Sequence, residues 1–178
     1  DVESLDLGTM IDVNLKAPII LSRIALPYLR EAGGGAIINV GSLAGRTPVP
    51  GSAVYAASKA GLRAFTYALG MELADSNIKL AVVSPGPIDT GFIMADIDAT
   101  SDLTFSQPIS TAEEVAQAVL DLCSNNLREQ SMPRLSGLLT MILYLFPGLN
   151  RIVRPNLERK GARVKAKLKA DRKRKGAA

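Results

Sequence analysis

This chain predicts an open α/β fold: part of a doubly wound parallel sheet with helices on both faces, followed by a carboxyl-terminal helical and basic extension. Three observations carry that prediction. Ala36 to Val40 and Ile78 to Ser84 are short, near-continuous apolar runs, the pattern of strands buried on both faces. Each follows a longer segment whose apolar residues recur at helical spacing. The order helix, strand, helix, strand then needs crossover connections, which parallel strands require.

Taken in order, Leu7 to Leu29 reads as a helix already in progress, with Met10, Ile11, Leu15, Ile19, Ile20 and Leu26 on its apolar side. The first residue is Asp1 rather than Met, so more chain is expected upstream. Glu31 to Gly35 ends the helix in glycines, where a helix C-terminus favours them. After the first strand, Gly41 and Gly45 flank Ser42 in a loop, and Ser52 offers an N-cap for a helix from Tyr55 to Leu73. Asn77 marks the turn into the second strand, which Pro85-Gly86-Pro87 breaks.

Asp89 to Pro108 is irregular, read either as a flap over a ligand site or as an ordinary surface loop. Ser110 to Glu114 then starts a helix that runs through Cys123, with a cap and acids in the first turn. Cys123, among Val119, Leu120 and Leu122, is expected to be an inert core position.

Leu135 to Asn150 carries no charge and is bracketed by Arg134 and Arg151. It is shorter than the roughly 20 residues a spanning helix needs, so it reads as an interfacial helix or as a core or dimer-contact helix. Residues 1–133 are therefore expected to form the carboxyl-terminal part of a catalytic domain, 134–150 an apolar segment, and 151–178 a basic tail, solvated or disordered by default.

Composition removes several chemistries. At 178 residues and 47% hydrophobic content the chain can bury a core. It has no His and one Cys, which excludes imidazole bases, His-containing triads, His metal ligands and intrachain disulfides. The net charge of +4 divides into +10 over 151–178 and −6 over the first 150 residues. The tail lacks aromatics for base stacking, so no nucleic-acid partner is expected.

Chemistry concentrates between residues 42 and 59. Tyr55 and Lys59 stand at i and i+4 on one helix face, where an ammonium can favour the phenolate. That makes Tyr55 a candidate proton donor and acceptor. A packed Tyr beside a solvated Lys on an amphipathic helix would show the same pair, and context decides between them. Ser42 falls at the carboxyl end of a strand, where open α/β sheets place their ligands.

The ordered set Ile38-Asn39-Val40-Gly41-Ser42-Leu43-Ala44-Gly45, Tyr55-Ala56-Ala57-Ser58-Lys59 and Ser84-Pro85-Gly86-Pro87-Ile88-Asp89-Thr90 resembles the short-chain dehydrogenase/reductase family, and Asp12-Val13-Asn14-Leu15 matches its helix asparagine. The resemblance implies a Rossmann-like sheet, NAD or NADP as cofactor, and hydride transfer between nicotinamide and a secondary alcohol or ketone. It implies Tyr55 as general acid and base, Lys59 supporting Tyr55 and holding the nicotinamide ribose, and Ser42 bonding the reacting oxygen. Asn14 would organise a proton-relaying water. Pro85, Gly86, Ile88 and Thr90 would line the nicotinamide. It also implies a homo-oligomer. The chain is expected to be cytoplasmic, and peripheral on a membrane if the 135–150 segment meets one.

The departures are specific. The glycine-rich phosphate turn and the residue that selects the nucleotide are absent, and Gly33-Gly34-Gly35 is no substitute because it follows a helix and precedes a strand. Gly41 stands where the family often has Ser, and Ala81 where it often has Asn. The chain is therefore read as lacking the family's cofactor-binding half, which leaves a strand edge open. Two alternatives remain. One is a cofactor-less membrane-surface or scaffold piece of the same fold. The other is a sugar-nucleotide epimerase or dehydratase, which shares the Tyr and Lys spacing.

Overall fold

The computed structural model describes residues 4–90, 97, 98 and 100–175, with side chains described from 6 to 170 within those ranges. Helix α1 (Ser4–Ile11) continues through a π-helical turn, Asp12–Lys16, into α2 (Ala17–Glu31). The expected single helix is thus present but interrupted. The local cause is Pro18, which has no N–H to offer the Asn14 carbonyl, and the Ala17 N–H donates five residues back to Asp12 instead.

Strand β1 (Gly35–Val40) follows, then a 3₁₀ turn at Leu43–Gly45, α3 (Ala53–Glu72) and β2 (Ile78–Pro85). These match the expected elements to within two residues. Ser52 is the N-cap residue of α3, but its side chain makes no capping bond. A 3₁₀ turn at Thr104–Ser106 leads to α4 (Ala112–Ser124). Thr111 and Glu114 form a reciprocal capping box at its start, as the residue spacing there favours.

The sheet is parallel, in the order β1-β2-β3, and its third strand, β3 (Glu129–Met132), was not anticipated. Four residues reading Glu-Gln-Ser-Met carry no apolar alternation. β3 is set by backbone pairing with β2 and by what Glu129 bonds.

Alternation along β2 sends Leu80 and Ala81 to opposite faces. On one face Leu26, Leu69, Leu73, Ile78 and Leu80 form a cluster between the sheet, α2 and α3. On the other, Ala81 and Val83 meet Val115, Ala118 and Leu122 of α4. The sheet is covered on both sides, as its apolar strands require. Among the described residues β1 pairs on one side only.

Cys123 corrects an expectation: it is exposed. Val115, Ala118 and Leu122 make the buried stripe of α4, and Cys123 is turned about 100° from Leu122 around a helix of 3.6 residues per turn. After α5 (Arg134–Leu145) the chain breaks at Phe146-Pro147 and continues as a long helix, α6 (Gly148–Lys175), so the basic extension is helical, as the expected fold class has it.

One face of α6, with Leu157, Gly161, Val164 and Leu168 spaced at helical intervals, packs towards the Thr104–Ser106 turn. A Cβ at Gly161 would collide with the Asp102 carbonyl, so the contact needs glycine. Lys165 closes it with bonds to the Thr100 carbonyl at 2.7 Å and the Asp102 carboxylate at 3.2 Å. Part of the irregular segment from Asp89 to Pro108, residues 91–96 and 99, lies outside the described residues. No helix among the described residues is long and apolar enough to cross a membrane.

Candidate active site

The site is built at the carboxyl end of β1. The Gly41 N–H donates to the Val83 carbonyl at 2.7 Å, and a Cβ at Gly41 would come within 2.8 Å of Val82 and 3.2 Å of the Ser84 hydroxyl. That crowding favours glycine at position 41. Ser42 is extended, and its Oγ accepts the Ala44 N–H at 3.1 Å, capping the turn that follows. Gly45 then passes so close to α3 that a Cβ there would lie 2.7 Å from the Lys59 carbonyl carbon. The Ser42 loop is seated directly on the helix that carries Tyr55 and Lys59.

Helix α3 faces the sheet with Ser58, Leu62, Thr66 and Leu69, all buried. Thr66 accepts a bond from Asn39 of β1 at 2.8 Å, which fixes the helix along the strand. At the same end as the Ser42 loop, Lys59 Nζ donates to the Val40 carbonyl at 2.9 Å and lies 6.0 Å from the centre of the Tyr55 ring. Burial lowers the Lys59 pKa below its ordinary value, since leaving water penalises the charged ammonium.

Asn14, in the π-helical turn, donates from Nδ2 to the Ser58 hydroxyl at 3.4 Å, and Ser58 Oγ donates to the Tyr55 carbonyl at 2.8 Å. Asn14 and Ser58 thus reach the Tyr55 backbone carbonyl, Lys59 reaches the last residue of β1, and the Tyr55 ring joins the two through its approach to the Lys59 ammonium, with Ser42 two residues beyond Val40. Ser58 lies inside the Tyr55 to Lys59 motif and is a site residue that the motif alone does not point to. The signal available was a hydroxyl on the sheet-facing side of α3, between Tyr55 and Leu62.

Pro85 ends β2 and is buried. The Gly86 N–H donates to the Met132 carbonyl at 2.8 Å, and a Cβ on Gly86 would sit 3.4 Å from Leu43, the residue after Ser42. These two are thus brought to the loop. Ile88 bridges to Ser110 and packs against the core cluster under α4, while the Thr90 N–H donates to the Ile88 carbonyl at 2.8 Å.

A cavity of about 400 Å³ lies on the other flank of the loop, between Gly45 to Pro50, the Ala53, Ala57 and Ala60 side of α3, and Tyr144. It is apolar, and neither Tyr55 nor Lys59 lines it. Among the described residues no three His, Cys, Asp or Glu side chains converge to hold a metal.

Residues 1–101 match the family described as short chain dehydrogenase. Sulfoacetaldehyde reductase 2 of Chromohalobacter salexigens is 40% identical over 125 residues, covering 67% of this chain and 49% of that protein. Among solved structures, a short chain dehydrogenase from Burkholderia cenocepacia in complex with NADP aligns with a TM-score of 0.67 at 26% identity, over 85% of this chain and 60% of that one. A 4-hydroxyisoleucine dehydrogenase complexed with NADH aligns with a TM-score of 0.59 at 30% identity, over 72% and 58%. The chain spans about half the length of the curated relatives it matches. Parallel sheet, strand-end serine loop and Tyr-x-x-x-Lys helix agree with this match over more than half of the sequence: the chain belongs to the short-chain dehydrogenase family.

Proposed function

We propose that the protein is an NAD- or NADP-dependent oxidoreductase that interconverts a secondary alcohol and a ketone, with Tyr55 as the proton-transferring group. The observation that carries this reading is the connected group of Asn14, Ser58, Tyr55 and Lys59 against the end of β1, beside the Ser42 loop. Reduction builds negative charge on the carbonyl oxygen. Donors held in place before the reaction stabilise that charge more in the transition state than in the ground state.

In this reading the Tyr55 hydroxyl gives its proton to the developing alkoxide and recovers one in the reverse direction. The Lys59 ammonium stabilises the phenolate that remains. Ser42 donates a second hydrogen bond to the reacting oxygen, and Asn14 and Ser58 hold the first turns of α3 in position, with Asn14 ordering a water that returns protons to Lys59. The bound nicotinamide supplies or accepts the hydride.

The donor set fits the nicotinamide half of such a cofactor. Tyr55 and Lys59 offer a hydroxyl and an ammonium to a ribose, and Gly86, in contact range of Leu43, carries no side chain to crowd a flat ring. Pro85, Ile88 and Thr90 would complete that wall. The NADP and NADH carried by the two solved relatives support the cofactor class.

A lipophilic substrate suits the apolar character of α5, and a cytoplasmic setting suits nicotinamide chemistry. The exposed Ile20, Leu21, Ile24 and Tyr28 on α2 support assembly of copies through that helix. The test is turnover of hydrophobic ketones by the full-length protein with NADH and with NADPH, wild type against Tyr55→Phe. The variant is expected to lose nearly all turnover while still folding. If it keeps most of it, Tyr55 is not the proton donor.

A further inference from the structure

Helix α5 is packed the wrong way round for a helix of a water-soluble core. Its buried positions are Ser136, Gly137, Thr140 and Leu143, and Gly137 lies so close to Ser131 of β3 that a Cβ would clash. Its outward stripe is Leu135, Leu138, Ile142 and Leu145, continued past the break by Leu149 and Ile152, with exposures from 37% to 80%. Apart from Leu143, small and hydroxyl residues face the protein, and leucines and an isoleucine face out. A soluble helix has the opposite polarity.

The packing is not incidental. Thr140 and Gly137 are held by Arg46, whose Nη2 donates to the Gly137 carbonyl at 3.2 Å and whose Nε donates to Thr140 Oγ1 at 3.4 Å. The leucine face is therefore fixed outward. A contiguous apolar stripe of this kind marks a contact surface.

Directly beyond it, the outward side of α6 is cationic. Lys165 and Lys169 are turned in towards Asp98 and Asp102, whereas Arg151, Arg159, Lys160, Arg163 and Lys167 are exposed. From 151 to 170 the single acid is Glu158, half-buried and bonded to Arg154 at 2.7 Å. An all-apolar stripe followed by an acid-free cationic face calls for a partner with an oily interior and an anionic rim. Nucleic acid would meet the cations and leave the leucines in water. A second copy of the chain would cover the leucines but meet the cations only with the scattered acids of a body whose net charge is −6 over residues 1–150.

We infer that the α5 leucine stripe and the outer face of α6 form a docking surface for an anionic membrane, with α5 lying in the interface and α6 on the head groups. Neither helix spans the bilayer. The inference does not depend on the enzyme reading, because it uses no site residue.

The test is sedimentation of the full chain with phosphatidylcholine vesicles, with and without phosphatidylserine. The protein should pellet with the phosphatidylserine vesicles, and high salt should weaken the binding. Leu138→Asn with Leu145→Asn should abolish pelleting. Arg159→Gln with Arg163→Gln should weaken it by about fivefold for each charge removed.

Amide exchange on the wild-type protein supplies a second measurement that no folding defect can confound. Residues 135–149 should gain protection when vesicles are added. The inference fails if the wild type ignores phosphatidylserine vesicles, if 135–149 is protected equally without lipid in a concentration-dependent dimer, or if both folded variants bind as the wild type does.

Discussion

Arg46 in the loop that follows Ser42 and Glu129 at the start of β3 form a buried ion pair that fastens the candidate site to the edge of the sheet. The same carboxylate accepts from Arg63 at 2.8 to 3.1 Å, from Tyr67 at 3.0 Å and from Ser84 at 2.7 Å. One side chain thus joins the loop, α3, β2 and β3, and Arg46 extends the network to α5. Burial pushes the Glu129 carboxyl up, but hydrogen bonds from Arg63, Arg46 and Ser84, with the Arg46 charge, hold it at about 2.

Removing that carboxylate leaves the Arg46 and Arg63 guanidinium groups without a counter-charge, Arg46 in a poorly solvated place. Glu129→Gln is expected to cost about 3 to 5 kcal/mol, read as a lower urea midpoint. An unchanged midpoint would mean that water already screens the pair.

The same group sets an acid limb. Its folded pKa lies below the ordinary value of 4.5, so the native state holds fewer protons than the unfolded chain between the two values. Its stabilisation should be complete above pH 4.5 and fall away as pH drops towards 2. Stability measured against pH for wild type and Glu129→Gln should converge through that window. Parallel curves would show that other carboxylates control the acid limb.

Two glycines should respond in opposite directions. Gly45→Ala places a methyl against the Lys59 backbone and is expected to cost about 1 to 3 kcal/mol and to lower turnover by moving the Ser42 loop. Gly8→Ala adds a methyl in open space inside α1 and should stabilise by roughly 0.5 to 1 kcal/mol. Thermal melts of the two variants check both signs.

Ser58→Ala removes the link between Asn14 and the Tyr55 carbonyl. A loss of about 1 kcal/mol is expected from the missing hydrogen bond, together with a drop in kcat larger than any change in KM. If turnover is untouched, Asn14 does not act through this bond.

The seat of α6 can be probed away from the site. Gly161→Val should lift the helix from the 100–106 segment, read as faster proteolysis there and along 157–170. Lys165→Ala should have a smaller effect, about 0.2 to 1 kcal/mol, weakened further by salt.

Local pattern was enough for much of this protein. Two apolar runs, helical spacing on either side of them, glycine turns and the Thr111 cap specify strands and helices through neighbours a few residues away. The Tyr55 and Lys59 pair is legible for the same reason, because i and i+4 share a face in any helix. What the sequence could not show depends on partners far along the chain. β3 is polar and short, and it is a strand because Arg63, 66 residues away, and Ser84, 45 residues away, converge on Glu129. Cys123 looked like core by its neighbours and is exposed because the stripe that packs runs through Leu122 instead. The basic tail has the composition of a disordered arm, but Gly161 and Lys165 find a carbonyl and a carboxylate on a loop about 60 residues upstream. Sequence by itself determined two of the strands, the helices beside them and the shared helix face of Tyr55 and Lys59. Only tertiary packing decided which polar groups are buried together and which leucines face outward, because burial is a property of surfaces that meet and not of residues in a row.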